Sequence, residues 1–337
     1  MSIDWPRFAS LIRSKQRIVL TSHIRPDCDA LGSELGMARV LQTLGKEVAI
    51  VNGHATPPTL DFIDPKKELK TLGDHVSVEE ACDRDLLLIL DTSSWAQLGP
   101  MGEVVKKFRG EKAVLDHHAI GDDLSAELFK DATAEATGRL VVDAADALEV
   151  KLTAEMAVPL FAAIATDTGW FRFPSTSAGT YRCAARLIDA GAKPDAIYKV
   201  LYEQSTLGRV KLRGLILGRI ESELNGRLAH TFVRWSDFAA TGAIPPDTED
   251  VINTALSISG TEVAVIFVEQ EGGGAKISFR SRTVSKSGAT QSEALDCSKL
   301  AAQFGGGGHK AAAGASVVGD WDTLRAKVLD AVRAAMQ

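Results

Sequence analysis

Cysteine is scarce in this chain: four residues of 337, Cys28, Cys82, Cys183 and Cys297, with no C-x-x-C pair among them. That pattern predicts a reducing cytoplasm and excludes a zinc-thiolate site. Long apolar runs are missing too. No stretch reaches the ~18 residues of a membrane span, and the longest candidate, Ala157 to Ala165, contains Pro159. The N-terminus, MSIDWPRF, has neither a basic region nor an apolar core, so nothing in it marks export. Excess positive charge is also absent. A net charge of -6 argues against coating long duplex nucleic acid, which needs many phosphate contacts, and leaves room for a local cationic pocket. What remains is an ordinary globular composition, 45% hydrophobic and 24% charged. At 337 residues the chain exceeds what one core usually serves, so two domains are expected.

The densest chemistry lies in residues 21 to 33, TSHIRPDCDALGS. His23, Asp27 and Asp29 follow an apolar run, Ile18 to Leu20, and precede a helical pattern at Leu31, Leu35, Ala38 and Leu41. These polar groups therefore sit where a buried strand turns into a helix, the edge at which open α/β sheets bind ligands. Pro26 removes a backbone donor and Asp29 stands where an N-cap belongs, so the loop is shaped. Imidazole with carboxylate is a ligand set suited to Mn, Fe or Zn and less to Mg alone. Taken by itself the stretch also fits a turn with two capping aspartates.

Later stretches repeat the arrangement. Lys46 to Val51 reads as the next strand, giving a βαβ start. Asp85 to Asp91, DLLLILD, reads as a fully buried parallel strand ending on a carboxylate. Ala113 to Leu115 ends on Asp116-His117-His118, and the helical patterns Thr133 to Val150 and Ala154 to Thr166 lead to Asp167-Thr168-Gly169. Each has a dull explanation alone, as a cap or a surface histidine. Together, separate elements all stop on metal-binding groups, and two metals bridged by one carboxylate would use most of them.

Residues 174 to 222 read as a helical joint: Thr176 to Ala190, Pro194 to Gln204 and Leu207 to Glu221, the last with Arg209, Lys211 and Arg213 on a solvated face. Beyond it RLAHTFVRW and TEVAVIFVEQ read as strands, separated by a helix candidate from Asp247 to Ser259. Ala275 to Arg282 alternates, with Ile277, Phe279 and Ser281 on one face and Lys276, Ser278, Arg280 and Arg282 on the other. Between Gly272 and Ser292 all charged residues are basic: Lys276, Arg280, Arg282 and Lys286. Arginine grips phosphate in a bidentate fork, so this face is expected to read phosphate or base edges. Gly305, Gly306, Gly307 and Gly308 precede His309. Four glycines suit neither strand nor helix, and permit backbone N–H groups to approach an anion. Trp321 to Met336 reads as a closing amphipathic helix.

HIRPDCDALGS, the strand-end Asp91, Asp116-His117-His118 and Asp167-Thr168-Gly169 resemble the four ordered motifs of the DHH phosphoesterase superfamily. FGGGGH and the FRS at Phe279 to Ser281 resemble its associated C-terminal domain, so the resemblance spans roughly residues 15 to 335. One departure is Cys28, where the family usually has glycine; neighbours in an extended loop point apart, so its thiol is read as packing.

The resemblance implies two divalent metals, Mn foremost with Mg, Co or Fe as alternatives. His23 and Asp27 would hold one and Asp29, His117 and Asp167 the other, with Asp91 bridging. Asp116 would orient His117, and His118 would face the scissile phosphate. Arg280, Ser281, Arg282, Gly305 to Gly308 and His309 would hold a terminal nucleotide. The fold implied is α/β. A mostly parallel sheet flanked by helices occupies residues 1–190 as the catalytic domain, a helical linker residues 191–222, and a smaller α/β substrate-binding domain residues 223–337, with the site in the cleft between. The branch indicated is that of nanoRNases, bifunctional oligoribonucleases and PAP phosphatases. These are cytoplasmic enzymes that release mononucleotides from short RNA with a hydroxide activated by two metals. Homodimerisation is a family-level expectation. Alternatives are a phosphodiesterase for cyclic or linear dinucleotides, a pyrophosphatase-like activity, against which GGGGH speaks, and an inactive nucleotide sensor.

Overall fold

Leu86–Leu90 is buried at every position, the mark of a strand covered on both faces. It is the fourth of six in the first sheet of the computed structural model, which describes residues 3–283 and 294–337. The strands are β1 (Arg17–Thr21), β2 (Glu47–Asn52), β3 (Leu69–Thr71), β4 (Leu86–Leu90), β5 (Glu111–Asp116) and β6 (Glu127–Lys130). All their pairings are parallel and their order is β3-β2-β1-β4-β5-β6. The sheet thus reverses direction of growth between β1 and β4, the switch point outside which α/β sheets bind ligands.

Among the described residues the α-helices of this unit are α1 (Trp5–Ser14), α2 (Cys28–Thr43), α3 (Val78–Cys82), α4 (Trp95–Leu98), α5 (Met101–Lys107), α6 (Thr137–Ala147), α7 (Ala154–Asp167), α8 (Ala178–Asp189) and α9 (Pro194–Tyr202). One face of the sheet, with Ile18, Leu20, Leu88 and Leu115, packs against α1, α2, α6, α7 and α8. The other, with Val19, Leu87, Ile89 and Val114, packs against α3 to α5. The tightest approach is α2 on α7. A Cβ on Gly32 would stand 2.4 Å from the Pro159 carbonyl oxygen, and one on Gly36 2.5 Å from the Leu160 side chain. That closeness matters because α2 begins beside Asp29 and α7 ends on Asp167.

The chain divides into two units, Met1–Gln204 and Ser205–Gln337, so α9 belongs with the first. The second contains α10 (Leu207–Gly218), β7 (Glu221–Glu223), β8 (Leu228–Val233), α11 (Trp235–Thr241), α12 (Val251–Leu256), β9 (Val263–Glu269), β10 (Ala275–Ser281), α13 (Cys297–Ala302), β11 (Gly307–His309), β12 (Ala312–Val317) and α14 (Trp321–Ala335). Its sheet has the order β11-β12-β10-β9-β8-β7, with β8 and β9 parallel and the other pairs antiparallel. Helices α13 and α14 cover one face through Ile277, Phe279, Leu300 and Val328. Helices α10 to α12 cover β8 and β9 on the other through Ala229, Ala264, Ile266, Ile216 and Val251.

Three sequence expectations change. The helix expected to reach Glu221 stops at Gly218, and Glu221–Glu223 instead pairs with β8. RLAHTFVRW forms strand β8 over Leu228–Val233, but its last residue, Trp235, opens helix α11, which the sequence pattern did not predict. Gly307 and Gly308 form strand β11 with His309, although a glycine run was expected to suit no strand. The reason is close backbone approach: a Cβ on Gly306 would stand 2.1 Å from the Gly314 carbonyl oxygen, and one on Gly308 2.6 Å from that of Ala312. Among the described residues no helix is long and apolar enough to cross a membrane.

Candidate active site

Each strand around the switch point delivers one piece of the site. Two residues past the end of β1 comes His23, its Nδ1 2.9 Å from the Ile24 carbonyl oxygen. Asp91 follows β4 with φ of +61°, a left-handed turn that redirects its carboxylate while its N–H still donates to Leu115 of β5. Asp116, His117 and His118 run off the end of β5. Sequence distance is therefore irrelevant here, because β1, β4 and β5 are adjacent strands.

The helices add the rest. Asp27, rather than Asp29, is the N-cap of α2, its Oδ1 accepting from the Asp29 and Ala30 N–H groups at 2.9 and 3.0 Å. Asp29 instead lies inside the first turn and is buried. Its Oδ2 accepts from Thr137 N at 2.7 Å, and its Oδ1 from Gly138 N at 2.8 Å and Ser33 Oγ at 3.3 Å. Those first two donors are the free N–H groups at the start of α6, where negative charge is favoured. Sequence reading did not single out Thr137, whose hydroxyl also donates to Asp91 Oδ1 at 2.8 Å. Backbone donors leave no residue-type signature.

Among the described residues three groups could hold a metal ion, each with a set of donor atoms within 4.8 Å of one another. Asp91, His117 and His118 are one; the other two are His23, Asp27 and Asp91, and Asp29, His117 and Asp167. Asp91 links the last two: Oδ2 is 3.4 Å from His23 Nε2, and Oδ1 is 3.5 Å from His117 Nε2. His117 Nε2 lies 3.6 Å from Asp167 and 3.9 Å from Asp29. Burial and the charges of Asp91 and Asp167 push the Asp29 carboxyl well above the usual range. Burial, with the Asp91 charge added and His117 opposing, takes Asp167 up to about 6. Burial disfavours charge on His23, but the hydrogen bond and charge of Asp91 outweigh it and raise the imidazole to about 9. Buried carboxylates crowded in this way call for positive charge, and the oxygen and imidazole donors fit divalent transition ions.

His118 is placed differently. Asp116 was expected to orient His117; it instead accepts from His118, at 2.9 Å from its backbone N and 2.8 Å from its Nδ1. Side chains two apart leave a strand on the same side and adjacent ones on opposite sides. His117 Nδ1 is held by the Ala134 carbonyl oxygen at 3.3 Å. The Asp116 carboxylate also receives Ser93 Oγ at 2.8 Å and Lys130 Nζ at 3.0 Å. Burial works against its charge, yet His118, Ser93 and Lys130 hold it down at about 2. In return the Asp116 hydrogen bond raises the His118 imidazole. Cys28 is buried, and burial pushes its thiol up to about 12, consistent with packing rather than ligation.

In the second unit the expected nucleotide-holding residues separate. Arg280 lies on the strand face away from α13 and α14, its guanidinium making one bond, to the Phe279 carbonyl oxygen at 3.1 Å. Arg280 and His309 both pair with Ala312 of β12, from its two sides, which puts their side chains on one face of the sheet. His309 and the Gly307–Gly308 edge are exposed. Ser281 and Arg282, expected to face substrate, are instead bonded to carbonyl groups of the protein itself. The Ser281 side chain is buried and donates to Leu295 O at 2.7 Å, as its alternation with Ile277 and Phe279 requires. Arg282 lies past the end of β10, and its guanidinium donates to the Thr261 and Ile258 carbonyls, both at 2.8 Å. Lys286, the fourth basic residue of that stretch, lies outside the described residues.

Comparison with known proteins gives concordant results. Residues 17–164 match the DHH family, N-terminal domain, and residues 226–337 the DHHA1 domain. The bifunctional oligoribonuclease and PAP phosphatase NrnA of Thermus thermophilus is 31% identical over 94% of this chain and 89% of that protein. Among solved structures, an exopolyphosphatase-related protein from Bacteroides fragilis matches with a TM-score of 0.85 at 25% identity, over 98% of this chain and 94% of that one. Exonuclease RecJ bound to manganese shares the fold with a TM-score of 0.57 at 16% identity, over 100% and 96%. With both halves matched in order and a relative similar along nearly its whole length, the chain belongs to the DHH family of phosphoesterases, enzymes that hydrolyse phosphate esters, with a DHHA1 domain in its second half.

Proposed function

We propose that the protein hydrolyses short oligoribonucleotides to mononucleotides and removes the 3'-phosphate of PAP, as the name of its Thermus thermophilus relative indicates for that enzyme. The first unit is the catalytic one and the second the substrate-binding one. The observation that carries the reading is Asp91, whose two oxygens face two separate His and Asp clusters. His23 and Asp27 would hold one divalent ion, Asp29, His117 and Asp167 a second, and Asp91 both. Manganese is the ion proposed, one of the divalent ions that mixed carboxylate and imidazole donors accept. Bound there, the two cations lower the pKa of water into the neutral range and neutralise charge on phosphate oxygens.

The chain's own residues do the remainder. Thr137 and Gly138 fix the Asp29 carboxylate through their backbone N–H groups, and the Thr137 hydroxyl fixes Asp91. Asp116 accepts a hydrogen bond from His118 Nδ1 and favours the protonated imidazole, whose Nε2 proton would be given to the leaving oxygen, as a general acid does. Lys130 and Ser93 keep Asp116 ionised for that role. In the second unit Arg280 would grip a phosphate, with His309 beside it and the glycine edge offering backbone N–H groups.

The test is turnover with added manganese of three substrates: a 5'-phosphorylated RNA dinucleotide, PAP and a cyclic dinucleotide. An Asp29→Ala variant serves as blank. Release of mononucleotides from the linear dinucleotide, well ahead of any cleavage of the cyclic one, is the expected result. Equal or faster cleavage of the cyclic dinucleotide would overturn the substrate assignment.

A further inference from the structure

The turn that follows Asp167 is built for more than ending a helix. Gly169, Trp170 and Phe171 all have φ between +56° and +63°, a region bulky residues rarely enter. Buried Thr168 holds the turn together. Its hydroxyl donates to Ile164 O at 2.7 Å and accepts from Phe171 N at 3.1 Å, while its carbonyl accepts from Arg172 N and Phe173 N, both at 3.0 Å. A conformation of this kind persists only where its surroundings impose it, and such places cluster at functional sites.

The turn sorts its side chains. Trp170 and Phe171 face inward, with ring centroids 6.1 and 5.9 Å from Phe161, and Phe171 stacks on Tyr181 at 5.5 Å. Arg172 and Phe173 are left outside. Phe173 is 50% exposed, yet its ring is held in place, because a Cβ on Gly169 would stand 2.4 Å from it. The ring therefore packs against Gly169, two residues from Asp167, while half of the residue stays open to solvent. Arg172 donates through Nε to the Gly169 carbonyl oxygen at 2.7 Å. That bond fixes the plane of the guanidinium, and among the described residues no carboxylate pairs with it. An anchored, unneutralised fork beside an open aromatic ring matches a nucleotide's two ends: the phosphate for the fork, the base for the ring.

We infer that Arg172 and Phe173 form a nucleotide-binding shoulder beside Asp167, with Arg172 gripping a phosphate and Phe173 stacking a nucleobase. This rests on the proposed action on oligonucleotides and adds two specificity-determining residues in the first unit. The stacked face is indifferent to base identity, since every base has a π-face. The shoulder thus favours nucleotides over other phosphate esters without selecting a sequence.

Phe173→Ala and Arg172→Gln, with Phe173→Tyr as the conservative control, are compared in the full-length metal-loaded protein on a 5'-phosphorylated RNA dinucleotide and on its base-free analogue. Phe173→Ala should raise KM for the dinucleotide on the order of tenfold, with kcat within twofold, and leave the base-free analogue unchanged. Phe173→Tyr should restore KM, and Arg172→Gln should raise KM for both substrates. A loss by Phe173→Ala that is equal on both substrates, or no change on either, overturns the assignment. So does a changed oligomeric state of Phe173→Ala with KM unaltered, which would assign the ring to a protein contact. If the wild type cleaves neither substrate, the failure lies with the proposed function. AMP binding read by tryptophan fluorescence then judges the shoulder alone: markedly weaker binding in Phe173→Ala supports it, and equal binding overturns it.

Discussion

Asp116 Oδ1 lies 2.8 Å from His118 Nδ1, and the carboxylate that makes this bond is wholly buried. The bond holds the ring through Nδ1, favours the protonated imidazole and leaves Nε2 outside the pair. Asp116→Asn should lower kcat roughly 10²- to 10⁴-fold, the usual worth of a positioned acid, with KM and metal content near wild type. Steady-state kinetics with elemental analysis check this. A parallel fall in metal content would move Asp116 from the proton donor to the support of the ligands.

Asp167 gives a pH prediction for the metal-free protein. Its folded pKa of about 6 stands above the ordinary 3.8, so between those values the native state binds the extra proton. Stability from this group therefore falls as pH rises from about 4 to 6 and stays low above it. Asp167→Asn should flatten that decline and raise Tm in EDTA at pH 7 by a few degrees while abolishing turnover. A lower Tm at pH 7 in the variant would show that the carboxylate is favourably placed even without a cation.

The candidate ligand residues His23, Asp27, Asp29, Asp91, His117 and Asp167 stood out because each lies at the start or the end of an apolar or helical run, a pattern visible along the chain. Their grouping came from the family resemblance alone, since in the chain itself it depends on β4 lying between β1 and β5. Which of Asp27 and Asp29 caps α2 turns on a difference of two residues at a helix start, where boundaries are least determined by composition. The Asp116 to His118 bond follows from strand alternation, and so does the burial of Ser281. The parallel character of the first sheet was readable in DLLLILD. The strand at Gly307–His309 was not, because it forms only against the small residues of β12.

Arg280 and Ser281 are neighbours with opposite consequences. Arg280→Ala should raise KM for the dinucleotide about tenfold and leave Tm within a degree. Ser281→Ala should leave KM unchanged and remove about 1 kcal/mol of stability, the worth of one buried hydrogen bond. Thermal denaturation and KM measured on the same preparations decide it, and a Ser281→Ala effect on KM alone would return that hydroxyl to the substrate.

Gly32→Ala tests how the helices set the site. Its Cβ would meet the Pro159 carbonyl oxygen at 2.4 Å, so α2 must move away from α7. Overpacking of this kind costs about 1–3 kcal/mol, and it separates Asp29 from Asp167. Manganese affinity should fall together with Tm. Unchanged affinity in a destabilised variant would show that the two carboxylates are set independently of this helix contact.

The most direct measurement is the number of manganese ions bound per chain by metal-stripped protein, read by calorimetric titration and elemental analysis. Two ions are expected for the wild type, one for Asp29→Ala, and none held tightly by Asp91→Ala, whose carboxylate faces both clusters. A single ion in the wild type, or two ions retained by Asp91→Ala, would contradict the bridged two-metal site.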